Sequence, residues 1–502
     1  MKALNMIPLF VIVPLAAAFL NSLFGRYMRR FAEVMTVVSS GLMLGLSVYA
    51  RILLESAPDK ILVYKLGGWA PPFGICMVLD GFSGLMLVVV NLVAFFVAVY
   101  SVGYMEKYTD KPKFFILFSL MVCGMNGVAM TGDMFNLFVF LEVASVASYA
   151  LVAFGTGEEE LEASFKYAVM GSVASSFIFM GIALLYSFTS TLNMADMARV
   201  LSYRHSVWVV PFAGVLFLAG FSLKAALIPF HAWLPDAHSS APASISAMLS
   251  GVLIKTLGIY SLTRILFNVI GAGQGYLKAL MFFGVISIII AGMLALRQSD
   301  FKRLLAYSSI SQIGYIILGI SLGTPLGVFG GLFHLFNHSV MKSLLFLNAG
   351  AMDYSTGTRD LKEAGGLDKL MPLTSKTNLI ASMSISGIPP FSGFFSKLII
   401  IAACVQSGHF GYALCAIIGS VFTLSALMKA RKLAFLGEIK DRMRGVKDAS
   451  FTMKISMVCL AVMCAAGGLM LLPPFRFFIE TASGVLLKGT SYANIVMKAV
   501  LR

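Results

Sequence analysis

The sequence predicts an all-α polytopic membrane protein with about fourteen transmembrane helices. Hydrophobic residues make up 59% of the chain and charged residues 12%, and the mean hydropathy is +0.88. Apolar runs of transmembrane length recur from end to end, with no Ser/Gly-rich linker between them. A soluble domain of this composition could not cover its apolar surface with polar groups. We therefore expect residues 1–502 to form a single membrane domain.

Apolar runs of about 20 residues, the length of a transmembrane helix, define the candidate spans. The first run is not a typical cleaved signal peptide, because only Lys2 precedes it and no small-residue cleavage site follows it. An uncleaved first helix is therefore expected. The candidate spans are 5–24, 33–54, 78–102, 113–131, 134–154, 165–187, 207–230, 243–268, 278–297, 304–323, 326–349, 376–404, 409–436 and 454–472.

Lysine and arginine are distributed unequally between the predicted loops. The loops after odd-numbered spans hold 22 of them, whereas the other face, with both termini, holds 12. The positive-inside rule then places the odd loops in the cytoplasm and both termini outside. The excess cations orient the protein on an anionic leaflet, so the net charge of +15 does not require a nucleic-acid partner. We expect a multi-pass protein of a prokaryotic inner (cytoplasmic) membrane.

Four of the cations lie inside apolar spans, at Lys224, Lys255, Lys342 and Lys397, and Glu142 is the one acid deep within a span. An ionisable group at the bilayer centre costs roughly 3 kcal/mol on insertion scales, so each needs a partner, water or a function. A buried Glu–Lys pair that opens and closes can exchange a proton. The alternative is structural pairing or snorkelling from a helix end, above all for Lys342, which could reach the cytoplasmic face.

The histidines extend this pattern. His334, His338 and Lys342 are spaced i, i+4 and i+8, which places them on one helix face and favours a hydrated proton path. Polar packing is an alternative, and so is a metal site, although no convincing third ligand is nearby. His231 and His238 flank the loop after the seventh span and are expected at its cytoplasmic mouth, with loop capping as the alternative.

The sequence predicts no cofactor and no metal. It carries no flavin or nucleotide fingerprint and no CxxC pair, so a zinc site or an iron–sulfur cluster is not indicated. Any redox chemistry must then belong to partner subunits. Packing is the default role of the six cysteines, at 76, 123, 404, 415, 459 and 464.

Prolines interrupt two of the predicted spans. Pro229 should break the seventh span, and Pro389 with Pro390 should break the twelfth, because proline lacks a donor and clashes with the preceding turn. Broken backbone at membrane depth survives only where it is buried in protein or lines a polar cavity. The two breaks are five spans apart, so spans 4–8 and 9–13 would have opposite orientations, as an inverted repeat requires.

The predicted organisation follows from these breaks. Residues 1–112 hold three N-terminal helices, 113–268 the first inverted repeat, 278–436 the second, and 454–502 the last helix and a C-terminal tail.

Five stretches between residues 75 and 440 form a specific pattern. They are 132–142 (GDMFNLFVFLE), 224–242 (KAALIPFHAWLPDAHSSAP), 299–309 (SDFKRLLAYSS), 334–338 (HLFNH) and 392–397 (SGFFSK). Together they resemble the antiporter-like proton-translocating subunits shared by respiratory NADH:quinone oxidoreductase, membrane-bound hydrogenases and Mrp-type multisubunit sodium/proton antiporters. The resemblance implies fourteen helices with two inverted five-helix repeats.

The resemblance also implies roles for the first half of the chain. Glu142 resembles the family's fifth-helix glutamate, and Lys224 its seventh-helix lysine partner. The resemblance implies that the two residues form the coupling pair that senses the charge state of a neighbouring subunit. Lys255 resembles the central eighth-helix lysine.

In the second half, His334 and His338 resemble the eleventh-helix histidines that link the two halves, and Lys397 resembles the terminal residue of the twelfth helix. Some members carry glutamate at that position, so the last step here should follow the lysine-bearing members. The chain ends about thirty residues after the last predicted span, which does not match the branch with a long lateral helix.

The expected function is movement of ions, most simply protons, by a subunit without a redox active site of its own. Its partners would be other membrane subunits, including homologous antiporter-like ones, and peripheral redox subunits in a respiratory or hydrogenase complex. A structural membrane anchor for an oxidoreductase and a stand-alone secondary transporter are the alternatives. The amino-acid sequences of these motifs favour an Mrp antiporter or a hydrogenase as the host complex. Sodium remains an alternative transported ion, because its oxygen ligands could come from another subunit.

Overall fold

The computed structural model describes residues 4–28, 30–204 and 208–501, and it is built almost entirely of helices. Within these residues, eleven helices are long and apolar enough to cross a membrane, and Val209–Lys224 and Ser392–Gln406 are shorter apolar helices. The expected all-α polytopic membrane fold is thereby confirmed.

The predicted count of fourteen spans is not established by these helices. Two predicted spans, 207–230 and 376–404, are interrupted, and the predicted span 326–349 lies in a 32-residue helix that is not among the eleven. The inverted repeat therefore stays a prediction. Residue 207, and Lys2, Arg29 and Arg502 of the charge count, lie outside the described residues.

The principal helices follow one another through short connections. In chain order they are α1 (Leu9–Phe24), α2 (Phe31–Ser56), α3 (Gly81–Tyr104), α4 (Lys111–Met130), α5 (Met134–Val152), α6 (Glu158–Thr189), α7 (Met194–Tyr203), α8 (Val209–Lys224), α9 (Trp233–Ser240), α10 (Ala243–Ile270), α11 (Gln274–Arg297), α12 (Phe301–Ser321), α13 (Pro325–Thr356), α14 (Pro372–Ser386), α15 (Ser392–Gln406), α16 (Phe410–Ala434), α17 (Phe451–Ala466), α18 (Pro473–Leu487) and α19 (Tyr492–Leu501).

A small β-hairpin precedes α3 and was not expected from the sequence. Strand β1 (Leu62–Lys65) pairs antiparallel with β2 (Cys76–Leu79). Directly after β2, the Asp80 carboxylate accepts hydrogen bonds from the backbone N–H groups of Phe82 and Ser83, which caps the first turn of α3. The hairpin and the cap together fix where this buried helix begins.

The first helix break lies between α8 and α9. Helix α8 ends at Lys224, and turns follow until α9 begins at Trp233. Pro229 lies in this interval, after a cis Ile228–Pro229 bond, so its missing N–H leaves no gap in a helix. The N–H of Ile228 donates to Ser287 Oγ on α11 at 3.0 Å. Side-chain acceptors of this kind bond the backbone N–H groups that a helix break leaves without a helical partner.

The second break lies between α14 and α15. Helix α14 ends at Ser386, and Gly387 continues with φ +84°, a left-handed conformation that glycine adopts without a side-chain clash. Pro389 and Pro390, joined by a cis bond, follow before α15 starts at Ser392. A second apolar segment is thus interrupted just before α15, the helix that carries Lys397.

Helix α10 combines α-helical turns with three π-helical stretches, Leu249–Leu253, Lys255–Tyr260 and Leu266–Ile270. Its most apolar window is completely buried inside the bundle. The wider π turns change the pairing of backbone carbonyls and are often found at functional sites. Because α10 is surrounded by protein, its polar residues face other helices rather than lipid.

The C-terminal residues fold back on the bundle. The sequence predicted a tail after the span 454–472, but this part of the chain forms α18 and α19. The fully buried guanidinium of Arg51, on α2, donates to the carbonyl of Phe477 at 3.1 Å and to Thr481 Oγ1 at 2.5 Å, both on α18. These bonds tie the second helix to the end of the chain.

Candidate functional site

Glu142 on α5 and Lys224 at the end of α8 form an ion pair, with 3.6 Å between Lys224 Nζ and Glu142 Oε1. The amine also donates to Ser145 Oγ at 3.0 Å, and Ser175 Oγ donates to the Glu142 carboxylate. The lysine side chain is 4% exposed and the glutamate side chain 33%. The pair therefore joins a buried amine to a carboxylate at the surface of this chain.

Lys255 lies in the middle of α10 and is fully buried. Its amine donates to the carbonyl of Gly251 at 2.8 Å and to the carbonyl of Ser250. Both acceptors belong to a π-helical stretch of the same helix. The helix itself thus supplies the partners of its central cation, and no carboxylate of the described residues neutralises the charge.

His334, His338 and Lys342 lie on α13 and are all fully buried. The two rings are nearly parallel, with 6.0 Å between their centres. His334 is held by Ser396 Oγ at 2.9 Å, and by Gln312 through its other ring nitrogen. Neither ring nitrogen of His338 has a protein partner. The Lys342 amine donates to the carbonyl of Leu305 at 2.8 Å. The two histidines and the lysine thus lie buried along one helix, at the spacing that the sequence shows.

Lys397 is the cation of α15. Its amine is buried without a hydrogen-bond partner and lies 4.7 Å from the centre of the Tyr315 ring. That ring also packs against His334, with 5.7 Å between the ring centres. The charges of Lys255, Lys342 and Lys397 all act on the ring of His338. The structure thus gathers three of the four predicted cations around the α13 histidines.

Lys224 stands apart from this cluster, although its backbone is adjacent to α10. The next residue, Ala225, packs so closely on Gly258 of α10 that a Cβ at Gly258 would lie 2.7 Å from its backbone. Gly258 lies in the same π-helical stretch as Lys255. A movement of the α8 end would therefore be transmitted to the helix that carries the central lysine.

His231 and His238 lie on either side of the start of α9. His231 is partly exposed, whereas His238 is fully buried and stacks on Phe346, with 4.9 Å between the ring centres. Neither ring nitrogen of His238 has a protein partner. Burial lowers the pKa of this histidine, which lies between the spans, and the charges of Lys302, Lys342 and Lys255 lower it further. His238 is thus positioned between the loop and the central cluster.

The arrangement as a whole suits the transfer of protons. Buried polar groups in proteins are almost always hydrogen-bonded to protein or water, and unpaired buried cations are expensive. Here His238, His338 and Lys397 lack protein partners. Groups of this kind need water beside them, and water between titratable side chains conducts protons.

Sequence reasoning missed an ion pair at one end of α10. Arg264, counted there as a cation of the outer face, and Asp80, placed near a span end, are both buried. They form two contacts, at 2.9 Å and 3.0 Å, and Tyr492 of α19 donates a hydrogen bond to the same carboxylate. An arginine inside the predicted span 243–268 was the available signal.

Two further buried cations were also placed in loops. Arg51 is fully buried, and Lys302, in the first turn of α12, is 3% exposed. Lys302 follows Asp300 at a helix start, so its local pattern resembles that of a solvated cation. Arg51 lies inside the predicted span 33–54, and that position was the available signal, as it was for Arg264. Only the packing of distant segments buries them.

Two family models match the chain. The model described as NADH:quinone oxidoreductase/Mrp antiporter, TM, matches residues 131–423, and the model described as NADH-Ubiquinone oxidoreductase (complex I), chain 5 N-terminus, matches residues 69–115. The chain is 36% identical to NADH-quinone oxidoreductase subunit N of Desulforudis audaxviator, over 86% of this chain and 85% of the relative. It is 33% identical to a Na(+)/H(+) antiporter subunit of Alkalihalophilus pseudofirmus, over 98% of this chain and 99% of the relative.

Solved structures of similar fold come from multisubunit complexes. A chain of the Mrp complex from Dietzia sp. DQ12-45-1b matches with a TM-score of 0.90 and 30% identity, covering 100% of both chains. A chain of the membrane-bound sulfane sulfur reductase, an archaeal respiratory membrane complex, matches with a TM-score of 0.89 and 30% identity, covering 98% and 99%.

The helical bundle and its buried row of lysines and histidines define an antiporter-like membrane subunit. The chain belongs to the NADH:quinone oxidoreductase/Mrp antiporter transmembrane family, as its motifs indicated.

Proposed function

We propose that this chain is an ion-translocating, antiporter-like subunit of a multisubunit membrane complex, and that the ion it moves is the proton. One observation carries the proposal. Lys255, Lys342 and Lys397 are buried together around two histidines, and no carboxylate of the described residues neutralises them. A buried amine without a counter-charge exchanges its proton readily, which is the property that a relay requires.

The order of the side chains suggests a route. Protons would arrive from the cytoplasmic mouth at His231 and His238, and pass to Lys342 and Lys255. They would continue along the α13 histidines and leave at Lys397. Two ring contacts support this order. His238 stacks on Phe346, whose ring centre is 6.0 Å from Lys342 Nζ, and Tyr315 packs against both His334 and the Lys397 amine.

Glu142 and Lys224 would act as the switch of this route. Their 3.6 Å separation is longer than a direct charge-assisted hydrogen bond, so the pair can tighten or open. The carboxylate reaches the surface, where the charge of a neighbouring subunit could attract or repel it. An open pair leaves the Lys224 ammonium with Ser145 alone. A shift of the α8 end would then reach α10 through the packing of Ala225 on Gly258.

The test is ion movement in membrane vesicles that contain the whole complex. Replacing Lys224→Ala or Glu142→Ala should abolish coupled proton transport while the complex still assembles. Lys278→Ala, at an exposed position of α11, is the matched control and should leave transport intact. Unimpaired transport in both switch variants, with assembly verified, would reject the proposal in favour of a structural anchor.

The proposed partners follow from the relatives. Those described above are chains of an NADH-quinone oxidoreductase, a Na(+)/H(+) antiporter, an Mrp complex and a membrane-bound sulfane sulfur reductase. We infer neighbouring membrane subunits, homologous antiporter-like ones among them, with peripheral redox subunits where the host is a respiratory or hydrogenase complex. Sodium is the alternative cargo, and proton movement in sodium-free vesicles separates the two ions.

The proposed location is a prokaryotic cytoplasmic membrane with both termini outside. The excess of lysine and arginine in the odd-numbered loops supports this orientation. Alkaline phosphatase folds only on the outer side, so a fusion at the C-terminus should be active. An inactive fusion in a chain that still inserts would reverse the topology.

A further inference from the structure

Lys302 is a buried cation that the route above does not use. It lies in the first turn of α12, 3% exposed, and its amine donates to the carbonyl of Ser239 at 3.1 Å and to the carbonyl of Ala241. No carboxylate of the described residues lies within ion-pair distance of it, although its neighbour Arg303 pairs with Asp236 at 3.0 Å. Two carbonyl acceptors match the two N–H donors of a neutral amine.

A polar cavity of about 490 Å³ adjoins this amine. Its walls include Lys302 itself, Asp300, Asp353, Arg359 and Tyr104. A cavity of this size holds many water molecules, and its polar walls supply their hydrogen-bond partners. The cavity lies on the face that carries the cation-rich loops, which is the proposed cytoplasmic side. Lys302 is therefore a buried amine with access to loop-side water.

Lys302 also lies next to the first buried histidine of the route. Its acceptor Ser239 directly follows His238 in α9. The charge of Lys302 acts on the His238 ring, together with those of Lys342 and Lys255 from the central cluster. His238 also stacks on Phe346, whose ring centre is 6.0 Å from Lys342 Nζ. His238 is thus near both the amine that adjoins the cavity and an amine of the cluster.

We propose that Lys302 is the residue that takes the proton from the loop-side cavity and passes it to His238. The inference rests on the proposed proton transport and adds its first step. The neutral amine binds a proton from cavity water. The ammonium then releases one proton through water to the free nitrogen of His238 and becomes neutral again, while the ring releases a proton from its other nitrogen towards the central lysines.

The competing explanation is structural. A permanently charged Lys302 could simply clamp the end of α9 to α12 through the two carbonyls of Ser239 and Ala241. Arginine distinguishes the two roles, because it keeps the charge and the donors but does not release its proton. The adjoining cavity leaves room for the longer side chain.

The experiment measures proton transport by the assembled complex in vesicles for Lys302→Arg and Lys302→Met. Both should lower the rate about a hundredfold, the lower end of the range for loss of a positioned proton-transfer group. Lys362→Arg, at an exposed position of the adjacent loop, is the matched control and should transport normally. Normal transport by Lys302→Arg would overturn the proposal and establish the clamp.

A chemical rescue covers the case in which these variants fail to assemble. Lys302→Cys would be treated, after assembly, with aminoethyl or with trimethylammonioethyl methanethiosulfonate, which attach a titratable amine or a permanent cation by the same disulfide. The amine should restore transport and the permanent cation should not. Equal rescue by both, or by neither, contradicts the proposal. The parent chain treated in parallel controls for Cys415 and Cys459, which are partly exposed.

Lys224→Ala and Glu142→Ala, measured alongside, distinguish a failure of the proposed function from a failure of the role of Lys302. If Lys224→Ala and Glu142→Ala both keep full transport, the proposed function fails. If Lys224→Ala abolishes transport while Lys302→Arg keeps it, only the role of Lys302 fails.

Discussion

At the scale of single residues, the Lys224 amine shares its interactions between two acceptors of α5. Ser145 Oγ is nearer, at 3.0 Å, and Glu142 Oε1 is 3.6 Å away. Hydrogen bonds to charged groups contribute about 1.5–3 kcal/mol. The hydroxyl therefore holds the ammonium in place when the carboxylate is drawn away, and it sets how easily the pair opens.

Ser145→Ala should slow proton transport about tenfold, since about 1.4 kcal/mol of support for the open pair corresponds to that factor. Transport should remain measurable, because Glu142 still partners the amine. Ser145→Thr keeps the hydroxyl and should restore most of the rate. The measurement is proton uptake by vesicles at matched levels of assembled complex. An unchanged rate in Ser145→Ala would show that the hydroxyl has no part in the switch.

At the same scale, the chain shows which buried charges a sequence can reveal. Lys255, Lys342 and Lys397 could be identified as buried cations because each interrupts an apolar run. A cation in such a run is costly unless it has a partner, water or a function. Lys302 could not be identified, because it follows Asp300 at the start of a helix and resembles a solvated end residue. Its burial comes from the end of α9, some sixty residues earlier in the chain.

At the scale of elements, the contact between the broken end of α8 and the π-helical part of α10 couples the two lysines. Gly258 allows the backbones to approach, since a Cβ there would lie 2.7 Å from Ala225. Backbone atoms cannot move aside as a side-chain tip can. Any side chain at this position must push α8 and α10 apart, and with them the supports of Lys224 and Lys255.

Gly258→Ala should therefore destabilise the protein by about 1–3 kcal/mol, as overpacking of a filled core does, and should also impair transport. Gly275→Ala is the matched control, because a Cβ at Gly275 meets nothing within 4 Å. The thermal midpoint of the purified complex and the transport rate are the two measurements. Equal behaviour of the two alanine variants would contradict the coupling of α8 to α10.

At the scale of the whole molecule, the ion pair of Asp80 and Arg264 joins three distant parts of the chain. Asp80 caps α3, Arg264 belongs to α10, and Tyr492 of α19 donates to the same carboxylate. Arg264 also lies over the ring of Tyr492, at 5.3 Å from its centre. The C-terminal helices therefore close one end of the bundle over a buried charge pair.

Asp80→Asn should destabilise the protein by about 3–5 kcal/mol, since it leaves the Arg264 charge buried without its counter-ion. The expected result is a lower thermal midpoint and less protein in the membrane. Asp441→Asn, which breaks the exposed pair with Arg444, should change neither quantity. Removing the arginine as well, in Asp80→Asn with Arg264→Gln, should recover part of the loss. Wild-type stability in Asp80→Asn would mean that Arg264 finds other partners.

The sequence by itself determined the membrane class, the positions of most spans and the two broken segments, because these depend on local hydropathy and on proline. It also singled out Glu142, Lys224 and the lysines and histidines of the central cluster as candidate site residues, since each is a polar residue in an apolar run. Tertiary structure alone decided the burial of Lys302, the interaction partners of Arg51 and Arg264, and the folding back of α18 and α19. Their partners lie up to hundreds of residues away, and burial by a distant segment leaves no signal in the neighbouring sequence.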